Sequence, residues 1–220
     1  MTRRPDPMPI AMRRRGLLRV AGAVGLASLQ LPALGRVLGS PAAASPAPTP
    51  RLTDGPFYPI AFDRNPTTTL IAGAMLAQAR PLQLVGRVVD RSGSALAGSR
   101  IEIWQCDANR HYHHPADGTP EQLDQGFIGF GWQACRTDGS YAFETMRPVQ
   151  YPGRTPHIHV KVKVDGRAVL SSQIFMPDEQ TANRADFLWR SLGSDAQPLA
   201  SATLRRDGDR EIARFDIVLG

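Results

Sequence analysis

From Leu82 onward the chain alternates apolar and polar residues over short runs broken by turn residues, the period-2 signature of strands with one buried face. The first run is Leu82-Gln83-Leu84-Val85-Gly86-Arg87-Val88-Val89-Asp90, closed by an Arg91-Ser92-Gly93-Ser94 turn. In Arg100-Ile101-Glu102-Ile103-Trp104-Gln105-Cys106, successive side chains take opposite sides of the strand. Ile101, Ile103 and Gln105 share one face, and Glu102, Trp104 and Cys106 share the other. The pattern predicts further strands over Tyr141–Glu144, His157–Val164, Arg167–Phe175 and Glu211–Val218, with Thr137-Asp138-Gly139-Ser140 and Asp165-Gly166 as tight turns. Helices are expected only near 67–79 and 182–192. Short strands at this spacing make an all-β chain, a β-sandwich with short helices and long loops.

Composition agrees: 20 glycines and 19 prolines are turn-rich without being low-complexity. Charge changes the picture more. The formal net charge is +6, but residues 1–44 hold seven arginines and a single acid, Asp6. Subtracting these from 26 basic and 20 acidic residues leaves 19 of each in 45–220, so the body is neutral and offers no nucleic-acid surface. The basic segment reads as a twin-arginine signal peptide. Arg14-Arg15-Gly16-Leu17-Leu18 is followed by a mildly apolar stretch from Val20 to Leu38 and by small residues at Pro41-Ala42-Ala43-Ala44-Ser45. Gly22, Gly25, Gln30, Pro32, Gly35 and Arg36 weaken that stretch as a membrane anchor, so no stable span is expected after cleavage near Ala44. The expectation is export by the twin-arginine route, to the periplasm or beyond. Residues 45–51 then form a proline-rich linker, and 52–220 one unit. Cys106 and Cys135 are the only cysteines; an oxidising compartment permits a disulfide, and two unlinked buried thiols are the equal alternative.

All five histidines lie between 111 and 159, and Tyr112 and Tyr151 sit among them. Because alternate strand residues face one side, His157 and His159 can address one metal ion while Ile158 packs behind. Alone, a His-x-His pair also fits solvent-facing histidines beside Lys161 and Lys163, a zinc site or a cupin-like site. The tyrosines alter the choice of metal. A phenol with an ordinary pKa of about 10 becomes a ligand mainly where a strongly Lewis-acidic ion stabilises the phenolate. Iron(III) does so, whereas zinc takes Cys, His and carboxylates. No carboxylate is evident beside the His pair, which argues against a two-His-one-carboxylate iron(II) site. Tyr141, after a turn, reads as a packed strand aromatic, and Tyr58 as structural or pocket-lining.

With these residues in view, the chain resembles the intradiol ring-cleavage dioxygenases. The likeness is carried by Leu52-Thr53-Asp54-Gly55-Pro56-Phe57-Tyr58, Gly86-Arg87-Val88-Val89-Asp90, Ile103-Trp104-Gln105-Cys106-Asp107-Ala108-Asn109 and His111-Tyr112-His113-His114. It continues through Phe127-Ile128-Gly129-Phe130-Gly131, Thr137-Asp138-Gly139-Ser140-Tyr141 and Tyr151-Pro152 to Arg154 and His157-Ile158-His159, with Gln173 following. The resemblance implies a β-sandwich of the intradiol dioxygenase type. It implies a mononuclear, non-haem Fe(III) held by Tyr112, Tyr151, His157 and His159, with Tyr151 and His159 axial. A catechol-type substrate would displace Tyr151 and be opened by O2 to a cis,cis-muconate-type product. Arg154, a permanent cation, matches the family residue that stabilises charge developing on the ring, and Gln173 matches a polar active-site residue. Two departures stand out: Gly153 follows Tyr151-Pro152 where many relatives carry an aromatic residue and a longer loop, and no long helical dimerisation segment precedes the first strand. A homo-oligomer is compatible with these features.

Two rival readings bear on the same residues. The Gly86–Trp104 and Thr137–Phe143 patterns also occur in transthyretin-like sandwiches, so an exported binding module without catalysis is the principal alternative. Such a module has no use for Tyr112, Tyr151, Arg154, His157 and His159 together. A zinc hydrolase on the same scaffold is the other.

Overall fold

The computed structural model describes residues 45–60, 65–117 and 119–220. The proposed signal peptide, 1–44, lies outside them. Among the described residues, nine strands form two sheets: β1 Pro81–Asp90, β2 Arg100–Trp104, β3 Phe130–Ala134, β4 Ser140–Met146, β5 His157–Val164, β6 Arg167–Phe175, β7 Thr203–Asp207, β8 Arg210–Arg214 and β9 Ile217–Leu219. One sheet runs β4-β1-β8-β7 with β9 also on β1, and the other β3-β2-β5-β6. Between β6 and β7 lie α1 Gln180–Ala185 and α2 Phe187–Ser191. This is the expected all-β sandwich.

The alternation read along the chain fixes which face goes inward. Leu82, Leu84 and Val88 of β1, Ile101 and Ile103 of β2, Tyr141 and Phe143 of β4, and Ile158, Val160 and Val162 of β5 form the core between the sheets. Central β1 is antiparallel to β4 and parallel to both β8 and β9. The segment read as one strand, Glu211–Val218, is thus two, stepping at Phe215–Asp216. There Phe215 donates its backbone N–H to Val85, and the Asp216 carboxylate accepts the Arg87 N–H. Gly86 makes this step possible, because a Cβ on it would sit 1.9 Å from the Phe215 carbonyl oxygen.

Other expectations need correction. Residues 67–79 are not helical: Thr67, Thr69 and Ile71 form bridges to Trp132, Glu144 and Phe127, and Leu70 is buried. The β-branched run Thr67-Thr68-Thr69 favours extended backbone, and here it stitches β3 to β4. The helix expected over 182–192 is two short helices interrupted at Asp186, which has extended backbone and caps the second. Strand β7 has no counterpart in the sequence pattern. Both cysteines are free. Cys106 packs with Trp104 and Tyr112 outside the second sheet, and Cys135 packs in the core between the sheets, which explains why they do not pair. The stretch read as a linker is fastened: Thr49 exchanges hydrogen bonds with Val218, and Pro50 and Leu52 bond to Ser172 and Ser171 of β6.

Candidate active site

The outer face of the β3-β2-β5-β6 sheet carries the candidate chemistry. Because the core takes Ile158 and Val160, period 2 sends His157, His159 and Lys161 to the other side. In the paired register Trp104 lies beside His159, and His159 beside Gln173, giving one row of outward side chains across three strands. An outward row of this kind is normally wet. Here it is covered, and His157 and His159 are only 2% and 3% exposed.

The segment 52–58 forms part of the cover. Lys161 Nζ donates to Asp54 at 2.6 Å and sits 3.8 Å from the centre of the Tyr58 ring. The Tyr58 hydroxyl donates to the buried Glu102 carboxylate, and Gln173 Nε2 donates to the Thr53 carbonyl. Desolvation, followed by the bond to Glu102, raises the Tyr58 pKa and keeps it a donor. Between these anchors Gly55 (φ +67°) passes over His159, where a Cβ would lie 3.4 Å from the imidazole Cε1. Phe57 stacks on the Tyr112 ring at 4.9 Å, and Trp104 stacks on His159 at 4.7 Å.

The loop after β2 is organised by Asp107. Its carboxylate accepts backbone N–H groups of Asn109, His111 and Asp124 and lies 3.6 Å from His113 Nε2. Burial pushes its pKa up, and those hydrogen bonds outweigh that effect and leave it lowered. Asp117 in turn accepts the Tyr112 N–H. The loop so held directs the Tyr112 side chain onto the histidines.

There Tyr112 Oη lies 3.1 Å from His159 Nε2 and 3.4 Å from His157 Nε2, and the two Nε2 atoms are 3.2 Å apart. His157 Nδ1 donates to the Thr155 carbonyl at 2.6 Å, which turns its Nε2 lone pair toward the other two atoms. Burial, then the Arg154 cation, pushes the His157 pKa down to about 4. His159 is pushed well below its ordinary value by burial and then by His157. Burial drives Tyr112 well up. All three groups are therefore neutral at neutral pH in the absence of an added charge.

These atoms fit a metal ion. The three distances define a triangle whose corners are all about 1.9 Å from one point, close to the roughly 2.0–2.1 Å of a metal–imidazole bond. Among the described residues no cluster of three His, Cys, Asp or Glu side chains suits a metal, so a phenol is needed to complete this one. A buried phenol yields its proton only to a strongly polarising cation. Tyr151 stands beside the triangle, its ring 5.4 Å from that of Tyr112 and 5.7 Å from that of His157. Its hydroxyl contacts Arg154 Nη1 at 3.5 Å. Burial raises its pKa, and the guanidinium opposes that rise.

Arg154 and Gln173, singled out separately in the sequence, bond to each other: Nη2 donates to Gln173 Oε1 at 2.5 Å. Arg154 Nε donates to Asp186 Oδ2 at 2.8 Å, and the same oxygen accepts the Thr155 N–H. Asp186 Oδ1 caps α2 through Leu188 and Trp189 N–H groups. Sequence reasoning missed Asp186; its one visible signal is an acid directly before Phe187-Leu188-Trp189-Arg190, a helix-start pattern. It also missed the stacking roles of Trp104 and Phe57, which only the strand register and the cover reveal.

Comparison with known proteins extends this geometry. The model of a family described as dioxygenase matches residues 54–220. The protocatechuate 3,4-dioxygenase beta chain of Burkholderia cepacia is 30% identical over 145 residues, covering 61% of this chain and 55% of that protein. Hydroxyquinol 1,2-dioxygenase of Nocardioides simplex is 29% identical over 195 residues, covering 75% and 62%. The matches thus span less than two thirds of these relatives. Among solved structures, the dioxygenase domain of a dioxygenase–carbohydrate-binding protein fusion from Streptomyces sp. SirexAA-E is 32% identical, with a TM-score of 0.62 over 79% of this chain and 98% of that one. An intradiol ring-cleavage dioxygenase from Tetranychus urticae, 17% identical, shares the fold with a TM-score of 0.65 over 79% of this chain and 95% of that one.

Proposed function

Because the chain belongs to the intradiol ring-cleavage dioxygenase family, we propose that it opens a catechol-type ring between its two hydroxyl-bearing carbons with O2, giving a cis,cis-muconate-type product. The observation that carries this reading is the convergence of Tyr112 Oη, His157 Nε2 and His159 Nε2 within 3.1–3.4 Å of one another, with Tyr151 and Arg154 alongside. In this proposal Tyr112, Tyr151, His157 and His159 hold a mononuclear, non-haem Fe(III). When bound, ferric iron stabilises phenolate and catecholate oxygens and makes the electron-rich ring reactive toward O2.

The protein groups supply the rest. The hydrogen bond from His157 Nδ1 to Thr155 O fixes the imidazole tautomer and ring direction. Tyr151 Oη, ionised only once the cation is bound, is the proposed acceptor of a substrate hydroxyl proton, with the adjacent guanidinium opposing the burial that raises its pKa. Arg154, held by Asp186 and Gln173, presents a preoriented positive charge to the ring as charge develops there. The covering segment and Trp104 keep water from the histidines, which strengthens each of these electrostatic effects. Export through the segment 1–44 completes the proposal and places the reaction outside the cytoplasm.

The test is purification of the full chain, followed by iron analysis, visible spectroscopy and oxygen uptake with catechol. A phenolate-to-iron absorption band, near-stoichiometric iron and one O2 consumed per ring opened are expected. A colourless protein that binds catechol without consuming O2 would instead establish the binding-module alternative, and turnover without O2 would establish a hydrolase.

A further inference from the structure

Phe187 is the first residue of α2, directly after Asp186. Since Asp186 caps that helix with one carboxylate oxygen and holds Arg154 with the other, the backbone of Phe187 is tied to the guanidinium. Its ring centre lies 5.2 Å from Arg154 Cζ, yet the residue is 56% exposed. Single exposed apolar residues are ordinary; one fixed over a buried active-site arginine has a specific neighbour. Gly153, next to Arg154 in the chain, contributes no side chain, and a Cβ there would meet nothing within 4 Å. Phe187 thus lies over Arg154, whose Nη1 is 3.5 Å from the Tyr151 hydroxyl.

The cation beneath it already has a partner: Arg154 is paired with the buried Asp186 carboxylate at 2.8 Å. A ring carboxylate arriving at this edge would lose hydration and compete with Asp186 for the guanidinium. An apolar substituent would instead gain contact with an exposed phenyl ring.

We propose that Phe187 is a specificity-determining residue that selects uncharged catechols bearing an apolar ring substituent over carboxylated ones. This rests on the dioxygenase reading. The test measures anaerobic dissociation constants, by quenching of intrinsic tryptophan fluorescence in the iron-loaded full chain, for catechol, 4-tert-butylcatechol and 3,4-dihydroxybenzoate. Wild type is expected to bind 4-tert-butylcatechol most tightly and 3,4-dihydroxybenzoate most weakly. Phe187→Ala should shrink the ratio of catechol to 4-tert-butylcatechol constants by about tenfold, the low end for losing an apolar contact. Phe187→Leu should retain most of the ratio, and Phe187→Lys should tighten 3,4-dihydroxybenzoate selectively. An unchanged ratio in Phe187→Ala, or a wild-type preference for the carboxylated ligand, overturns the assignment while leaving ring cleavage intact. Failure of all three ligands to bind wild type overturns the dioxygenase reading and this inference together.

Discussion

Removing Asp186 should cost more than removing the arginine it holds. Asp186 accepts four hydrogen bonds: from Arg154 Nε, from Thr155 N–H, and from the Leu188 and Trp189 N–H groups that begin α2. Asp186→Ala therefore loses the helix cap, worth about 1 kcal/mol, and leaves a buried guanidinium without its carboxylate, worth about 3–5 kcal/mol. Arg154 would retain Gln173 and the long contact to Tyr151, so the lower end, about 4 kcal/mol in all, is expected. Arg154→Ala leaves Asp186 with its three backbone donors, and a carboxylate so bonded stays satisfied. About 1–2 kcal/mol is expected there. The assay is urea denaturation of both single variants and the double variant, read as midpoint shifts at constant slope. The double-variant cycle should show a coupling of about 1–2 kcal/mol, because the second loss no longer strands a charge. If Arg154→Ala proves as costly as Asp186→Ala, or the coupling vanishes, the account of Asp186 as the fixed partner is wrong.

Other expectations follow from the same geometry. Tyr112→Phe should lose most of the visible absorption of the iron-loaded protein, and an unchanged spectrum would remove Tyr112 from the proposed ligands. His157→Ala or His159→Ala should lower iron content measured by elemental analysis, whereas full occupancy in both would discard the His-x-His assignment. Gly55→Ala places a Cβ in a left-handed backbone (φ +67°) beside His159, so a cost of about 1–2 kcal/mol and a lower thermal midpoint are expected; a wild-type midpoint would refute the close packing. Asp107 and Asp186 both have lowered pKa values, burial raising them and hydrogen bonds prevailing. Their stabilisation is complete above the unfolded carboxylate value of about 3.9 and is lost as pH falls through the lower folded values. Denaturation midpoints measured from pH 5 downward should fall less steeply in Asp107→Asn than in wild type.

How far the sequence discloses this molecule depends on what each signal reports. Period 2 reports which residues share a side of a strand: it separates Ile101 and Ile103 from Trp104 and sets Ile158 behind the two histidines, and the structure makes the isoleucine side the inner one. The alternation also put His157 and His159 on one side. Period 2 is silent on what lies over the outer side, so solvent-facing histidines remained an open reading until the segment 52–58 was seen lying across them. The failures have a common cause. Residues 67–79 become extended through pairing with Trp132 and Glu144, far along the chain, and no local window contains those partners. Strand β7 is short and exposed at the sheet edge, with Leu204 its one half-buried apolar residue, so it leaves little alternation to detect.

The outer row of polar side chains poses the remaining physical question, since a sheet face carrying Glu102, His157, His159, Lys161 and Gln173 would ordinarily stay in water. Covering it requires that each polar group find a partner, and most do. Glu102 receives Tyr58, Arg100 and Lys163; Lys161 takes Asp54; Gln173 bridges Arg154 and Thr53. These bonds tie the cover to the sheet and also give each charge beneath it a partner. The three atoms left facing one another are Tyr112 Oη and the two Nε2 atoms. They are neutral and close, and among themselves they have fewer protons to share than lone pairs. An arrangement that satisfies its charged groups and leaves three donor atoms converging is organised to receive a cation. That is why the metal reading rests on the covered face as a whole and not on the His-x-His spacing alone.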